Sequence, residues 1–292
     1  MTPANDARTG TGTHRSLIEI PCPYCSGTSH SLWAEERGYT VVRCDGCRFL
    51  YLNPAPPPES VSEAVMTGFH HDEAGDLDVR AHRSEKKVDH YEAIIKTMFA
   101  DKWSSEQPIH WLDIGSGYGE IIEAVSRLAP KGSTIEGIEP MKPKADAARE
   151  RGLTVTNDYL RRDHPKVDIA SSIDVFSHIP DYRAFLADVV AVLKPGGEFL
   201  IETGNLADVD ERSQFPFELG VPDHLTFAGR AHLEGLLDEA GFEVVTVQER
   251  RVDDLMGAAK NLVKILIGRP GVLSVPYQSK YRQLVIRARL RE

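Results

Sequence analysis

One stretch limits the folds open to this 292-residue chain more than any other: Ile109-His-Trp-Leu-Asp-Ile-Gly-Ser-Gly-Tyr-Gly119. Trp111, Leu112 and Ile114 supply an apolar strand, and Ile121, Ile122, Val125 and Leu128 then recur at helical spacing. Between strand and helix, Gly115, Gly117 and Gly119 stand at alternate positions. Glycine lets the backbone turn sharply and come close to a ligand where a Cβ would collide. The stretch reads as strand, tight turn and helix built around something bound.

The spacing selects the ligand. A dinucleotide fold places G-x-G-x-x-G at the helix N-terminus that holds its pyrophosphate. Here the order is D-x-G-x-G-x-G, with Asp113 at the strand end. That carboxylate repels a pyrophosphate and attracts a cationic amino-acid group. Twenty residues after Gly119, the strand Thr134-Ile-Glu-Gly-Ile-Glu139 ends in an acid placed to accept two hydrogen bonds from a ribose diol. Together these suit an adenosine that carries an amino acid.

At these residues the chain resembles the class I S-adenosylmethionine (SAM) dependent methyltransferases. The resemblance implies a SAM site at Asp113, Gly115, Ser116, Gly117, Gly119 and Glu139. It also places Asp158, after the short strand Leu153–Thr156, near the adenine amino group, with a plain turn as the other reading. Asp174-Val-Phe-Ser-His178-Ile-Pro-Asp181 and Leu193-Lys-Pro-Gly-Gly197 are similar to further segments of that family.

A second pattern precedes this one. Cys22-Pro-Tyr-Cys25 is followed, after eighteen residues, by Cys44-Asp-Gly-Cys47, and the chain has no other cysteine. The spacing is that of a structural zinc site. Four thiolates close a tetrahedral shell and leave no position for water, so Cys22, Cys25, Cys44 and Cys47 predict structural rather than catalytic zinc. Disulfides are the alternative, and a reducing compartment opposes them. Leu32, Trp33, Tyr39, Val41 and Val42 predict the hairpin of a zinc ribbon.

These features divide the chain into a polar lead-in over 1–16, a zinc ribbon over 17–56, a polar connector over 57–83 and a large domain over 84–292. In the connector, Asn53-Pro-Ala-Pro-Pro-Pro-Glu59 is expected to stop regular structure, with His70, His71 and His82 as exposed loop residues. Strands then alternate with helices over 84–292, which implies α/β architecture: a doubly wound, mostly parallel, seven-stranded sheet of Rossmann-like type. In the resembled fold the last strand, Gln283 to Leu290, is antiparallel and inserted beside the sixth. Two insertions, 203–227 and 252–281, lie outside the pattern. The first is expected to cover the site; the second holds a basic amphipathic helix, Leu255 to Ile267, read as packing on the core, a lid or a dimer surface.

Methyl transfer from a sulfonium to a hydroxyl or carbon acid requires removal of a proton, a task suited to histidine near neutral pH. His178 follows the fourth strand and His224 lies in the first insertion, whereas His110 sits at the opposite end of the sheet. Val221-Pro-Asp-His224-Leu-Thr-Phe227 resembles the lid of zinc-ribbon-bearing sugar C-methyltransferases, in which the histidine is the base; here Asp223 replaces their glutamate and their third domain is missing. The resemblance implies His224 as base; Asp223 is expected to orient or charge it, and His178 is the second candidate, with a pocket-wall role as its other reading.

Charge limits the partners. The chain carries −10 overall, with +7 confined to 250–292 and −17 over 1–249, which argues against general nucleic-acid binding. No run reaches the ~18 apolar residues of a membrane span, and the start lacks signal-peptide order. The expectation is a cytoplasmic enzyme with SAM and zinc as cofactors, a small polar acceptor such as a sugar or nucleotide-linked metabolite, no membrane partner and a possible homodimer. The alternatives are methylation of RNA or protein, an NAD-dependent oxidoreductase, and a non-catalytic zinc-ribbon module on a methyltransferase-like fold.

Overall fold

The first apolar alternation in the chain forms a hairpin. His30–Glu36 (β1) pairs antiparallel with Tyr39–Cys44 (β2) across Arg37 and Gly38, both at positive φ, as a two-residue hairpin turn requires. Leu50–Leu52 (β3) adds to β2. In the computed structural model, which describes residues 17–70, 76–215, 217–253, 255–269, 275 and 277–292, these strands bring the four cysteines together. The lead-in over 1–16 and His71 lie outside the described residues.

The connector differs from expectation. Regular structure does stop over 53–57, but it resumes at once: Pro58–Thr67 is a helix (α1), closed by Gly68 in the left-handed conformation. Pro58 sits at the first helical position, where a missing N–H costs nothing, and Ala64 buries one face. Two short strands, Phe69–His70 (β4) and Leu77–Asp78 (β5), pair after it. Glu85–Met98 (α2) and Ala100–Trp103 (α3) then lead into the main sheet.

The chain continues as His110–Ile114 (β6), Glu120–Leu128 (α4), Thr134–Ile138 (β7), Lys142–Glu150 (α5), Val155–Thr156 (β8), Val167–Ile173 (β9), Tyr182–Val192 (α6), Leu193–Gly204 (β10), Thr226–Phe227 (β11), Arg230–Glu239 (α7), Phe242–Arg251 (β12), Leu255–Leu266 (α8) and Arg282–Leu290 (β13). Seven strands form one sheet in the order β12-β13-β10-β9-β6-β7-β8. The pairs from β10 to β8 are parallel, and β13 runs antiparallel between β10 and β12. Lys194-Pro-Gly-Gly197 lies within β10 as a register shift against β9 rather than as a turn before it.

Side chains of a strand alternate between faces, and β6 shows the consequence. Trp111 packs with Val88, Ile95, Ile121 and Val125 of α2 and α4. Leu112 packs on the other face with Leu186 and Val189 of α6 and Leu233 and Leu236 of α7, a cluster that continues into Cys44, Phe49 and Tyr51 of the ribbon. The ribbon is therefore docked on the α6–α7 side of the sheet. Its other face meets the first insertion: Val41, Leu50 and Leu52 pack against Leu206, Val209, Leu219 and Val221, and β11 extends the ribbon to four strands by pairing with β3.

Candidate active site

At the carboxyl ends of β6, β7 and β9 lies a cavity of about 260 Å³, where an open parallel sheet receives its ligands. Asp113, Gly115, Ser116, Gly117, Glu139, His178 and Asp223 all line it. Gly119 and Asp158 are not among the lining residues. The three glycines divide by what surrounds them. All have positive φ, but a Cβ on Gly115 would meet Val175 at 2.4 Å, one on Gly119 would meet Leu153 at 2.4 Å, and one on Gly117 would meet nothing within 4 Å. Gly115 and Gly119 serve the turn and its packing, and Gly117 keeps open space for a ligand. Asp158 is exposed, and its carboxylate accepts from the Tyr159 backbone N–H at 2.8 Å.

Buried acids dominate one wall. Asp113 accepts from Ser171 Oγ at 2.6 Å, and that hydroxyl in turn accepts from Trp111 Nε1 at 2.8 Å. Burial pushes the Asp113 carboxyl up to about 8, helped by the nearby Glu139 and Glu120. Glu139 accepts from the backbone N–H groups of Gly117 at 2.7 Å and Met141 at 2.8 Å; burial also raises its pKa. Ser116 Oγ is buried beside them without a hydrogen-bond partner. The lining carboxylates Asp113, Glu120, Glu139, Asp174 and Asp223 outnumber the cations Arg80, Lys87 and Lys144.

A histidine cluster around Asp223 forms another part of the wall. His70 Nε2 lies 3.1 Å from Asp223 Oδ1, and His178 Nδ1 lies 2.8 Å from the Asp223 carbonyl and 3.5 Å from its carboxylate. Burial opposes charge on His178, but the hydrogen bond and field of Asp223 prevail and raise its pKa. His224 stands edge-on to His178, ring centroids 4.8 Å apart, and is absent from the cavity lining. Its Nδ1 lies 2.7 Å from the Leu219 carbonyl. An N–H there must donate, so the tautomer leaves the Nε2 lone pair free. Burial and the neighbouring His178 lower its pKa, which keeps the ring neutral.

Sequence reasoning missed several of these groups. His70, expected as an exposed loop residue, is half-buried in β4 and partners Asp223; His82 is exposed in a loop, as expected, and also lines the cavity. The helical spacing of Val61, Ala64 and Val65 was the signal that the connector folds back. Asp174 lines the cavity at φ 56 and accepts from Gln283 at 3.1 Å; its position after β9 was the available clue. The first insertion reaches the cavity through Asp223, while much of the rest packs against the ribbon.

The cysteines form a separate centre. Their sulfurs lie within 4.8 Å of one another, with Cys22 to Cys47 at 3.6 Å and Cys25 to Cys44 at 3.5 Å. Tetrahedral zinc with Zn–S near ~2.3 Å demands sulfur separations of about 3.8 Å, and all four cysteines are free thiols. The donor set fits the ion. His232 joins this knuckle to the large domain: its Nδ1 accepts from Gly229 N at 3.0 Å, which makes Nε2 the donor to the Cys47 carbonyl at 2.8 Å.

A family model described as a methyltransferase domain matches residues 81–247, more than half of the chain. The chain belongs to the methyltransferase domain family. Its seven-stranded sheet is the Rossmann-like sheet of a SAM-binding methyltransferase fold. The ubiquinone biosynthesis O-methyltransferase of Bradyrhizobium sp. (strain ORS 278) is 34% identical over 106 residues, covering 33% of this methyltransferase and 40% of the relative. The protein of the same name from Coxiella burnetii (strain RSA 493 / Nine Mile phase I) is 28% identical over 105 residues, covering 33% and 44%. The chain thus spans less than half the length of these curated relatives. Among solved structures, the magnesium protoporphyrin IX methyltransferase of Synechocystis PCC 6803 with bound SAM aligns at 11% identity and TM-score 0.45, covering 72% of this chain and 86% of that one.

Proposed function

We propose that this methyltransferase binds SAM in the cavity at the ends of β6, β7 and β9 and methylates a small polar acceptor, a sugar or nucleotide-linked metabolite, with His224 as the base. The observation that carries the SAM reading is the acid-lined wall: Asp113 and Glu139 are buried at the strand ends beside the open face of Gly117 and the unpartnered Ser116 hydroxyl. A cationic adenosyl amino acid favours ionisation of these buried acids, whereas a pyrophosphate opposes it. SAM, when bound, supplies an electrophilic sulfonium methyl. Glu139 would hold the ribose, and Asp113 and Ser116 would face the amino-acid portion.

The roles of the chain's own residues follow from their protonation. Asp223 favours the charged form of His178 on the cavity wall, and burial with His178 favours the neutral form of His224, whose Nε2 carries the lone pair. Closure of the loop on bound acceptor would bring that lone pair to the proton being lost while excluding water. A second acceptor class has specific support: the relatives named above are called ubiquinone biosynthesis O-methyltransferases, which adds hydroxylated, ubiquinone-related acceptors to the sugars. We further propose structural zinc on Cys22, Cys25, Cys44 and Cys47.

Calorimetry with SAM and with S-adenosylhomocysteine tests the cofactor; failure of both to bind intact protein would end the reading. Labelled-methyl transfer across nucleotide sugars, phenols, amines and RNA, with mass spectrometry of the labelled product, names the acceptor.

A further inference from the structure

We propose that α8 docks this protein on an anionic lipid bilayer. A helix on a folded body ordinarily turns its apolar stripe inward, and α8 does the reverse. Leu255 is 66% exposed, Met256 63% and Leu266 75%, with Leu262, Val263 and Ile267 also exposed. At 100° per residue these six fall on one arc of the helix. The half-buried positions, Gly257, Ala258 and Asn261, are small or polar. None of the described residues of α8 is buried.

The base of the insertion is nonetheless held firmly. The buried Asp253 carboxylate accepts from Ser279 N at 2.9 Å, the Asp253 carbonyl accepts from Tyr277 N at 3.2 Å, and Arg251 donates to the Tyr277 carbonyl at 2.6 Å. The helix thus projects from a clasped root with its apolar arc outward. Its position is directional as well. β12 runs parallel to β10, because both are antiparallel to β13, so α8 begins at the carboxyl edge of the sheet, the edge that opens on the cavity.

Charge decides the occupant. Lys260, Lys264 and Arg269 are the only charged residues between 255 and 269, in a chain of net −10. The two lysines border the apolar arc, where long cationic stems lie along apolar surface and place their charge among anionic headgroups. A two-fold contact between copies through this face would set the same lysines against each other. An anionic bilayer meets both the arc and the cations, and the acidic remainder of the chain is repelled from it, which orients the molecule with the cavity edge toward the lipid. Among the described residues no helix is long and apolar enough to cross a membrane, so the attachment is peripheral. It revises the expectation of no membrane partner and does not depend on which acceptor is methylated.

Co-sedimentation of the full chain with large unilamellar vesicles tests it. Binding is expected to vesicles of mixed phosphatidylcholine and phosphatidylglycerol, to be roughly tenfold weaker to phosphatidylcholine alone and to weaken as salt is added. The double variant Leu262→Asp/Leu266→Asp and the double variant Lys260→Glu/Lys264→Glu should each lose most of the binding, while thermal unfolding and the shift produced by SAM stay as in the parent. No binding to anionic vesicles overturns the proposal. So does a parent that is dimeric by light scattering, becomes monomeric with Leu262→Asp/Leu266→Asp and shows no lipid binding, since the arc is then the surface for a second copy.

Discussion

The backbone N–H of Gly220 donates to Glu36 Oε1 at 2.9 Å, across 184 positions of chain, and the N–H of Leu219 donates to Glu36 Oε2 at 2.8 Å. The ribbon's hairpin strand therefore grips the loop that carries Asp223 and His224. The same Leu219 offers its carbonyl to His224 Nδ1, so the grip passes to the imidazole in one step. The four-cysteine ribbon thus ties the β1–β2 hairpin to the loop of the histidine cluster.

Glu36→Ala is accordingly expected to lower turnover by roughly 10–100-fold, the scale of a displaced catalytic group, with SAM affinity and zinc content unchanged. Glu36→Gln should fall between, because it keeps one acceptor oxygen and loses the charge that strengthens both bonds. Steady-state kinetics beside calorimetry with SAM checks this; equal losses in both would place Glu36 in global stability instead.

Protein purified without chelator should hold one zinc per chain, and Cys44→Ser should release it. The metal would close a knuckle whose Cys47 carbonyl receives His232 and whose Tyr24 and Phe49 rings flank that imidazole. Loss of the ion should unfold the N-terminal strands first and reduce turnover through Glu36, while SAM binding is largely retained. Elemental analysis and limited proteolysis read both parts.

Replacing His224 by Ala is expected to cost about 10²–10⁴-fold in the chemical rate, with SAM affinity nearly unchanged. Because burial and the neighbouring His178 lower the pKa of His224, the acid limb of the rate profile should have its midpoint below the ordinary histidine value of about 6.5. His178→Ala should act mainly on acceptor KM, and Glu139→Ala mainly on SAM binding. Full turnover by His224→Ala at saturating acceptor would remove it as the base.

SAM binding should release a proton. Burial pushes Asp113 up to about 8, so near neutral pH much of it is protonated, and a cation beside it favours the ionised form. Affinity for SAM should therefore rise as pH climbs toward about 8 and level off above it. The folding contribution runs the other way: the contribution of a carboxyl raised by burial is present while it is protonated and is lost as pH rises through its folded value. The thermal shift given by SAM should consequently grow with pH. Calorimetry in buffers of different ionisation enthalpy measures the proton directly, and Asp113→Asn should abolish the dependence.

Local periodicity and spacing were legible in the sequence because they depend on residues a few positions apart. The run Trp111 to Gly119 determined a strand, a turn and a helix; the two C-x-x-C pairs determined a tetrathiol knuckle; the regular exchange of strands and helices determined a parallel sheet with its ligands at the carboxyl edge. These carry most of the fold, and they placed Asp113, Gly117 and Glu139 around one cavity. Only the tertiary structure decided which distant groups meet. His70 reaches Asp223 over 153 positions, Glu36 reaches Gly220, and the connector becomes a cavity wall, since side-chain partners are chosen by packing between segments and leave no local pattern. The same holds for the three glycines, alike in sequence and separated by Val175, Leu153 or empty space. It holds for α8 as well: periodicity announced an amphipathic helix, and only its seating on the body showed that the apolar arc faces away from the core.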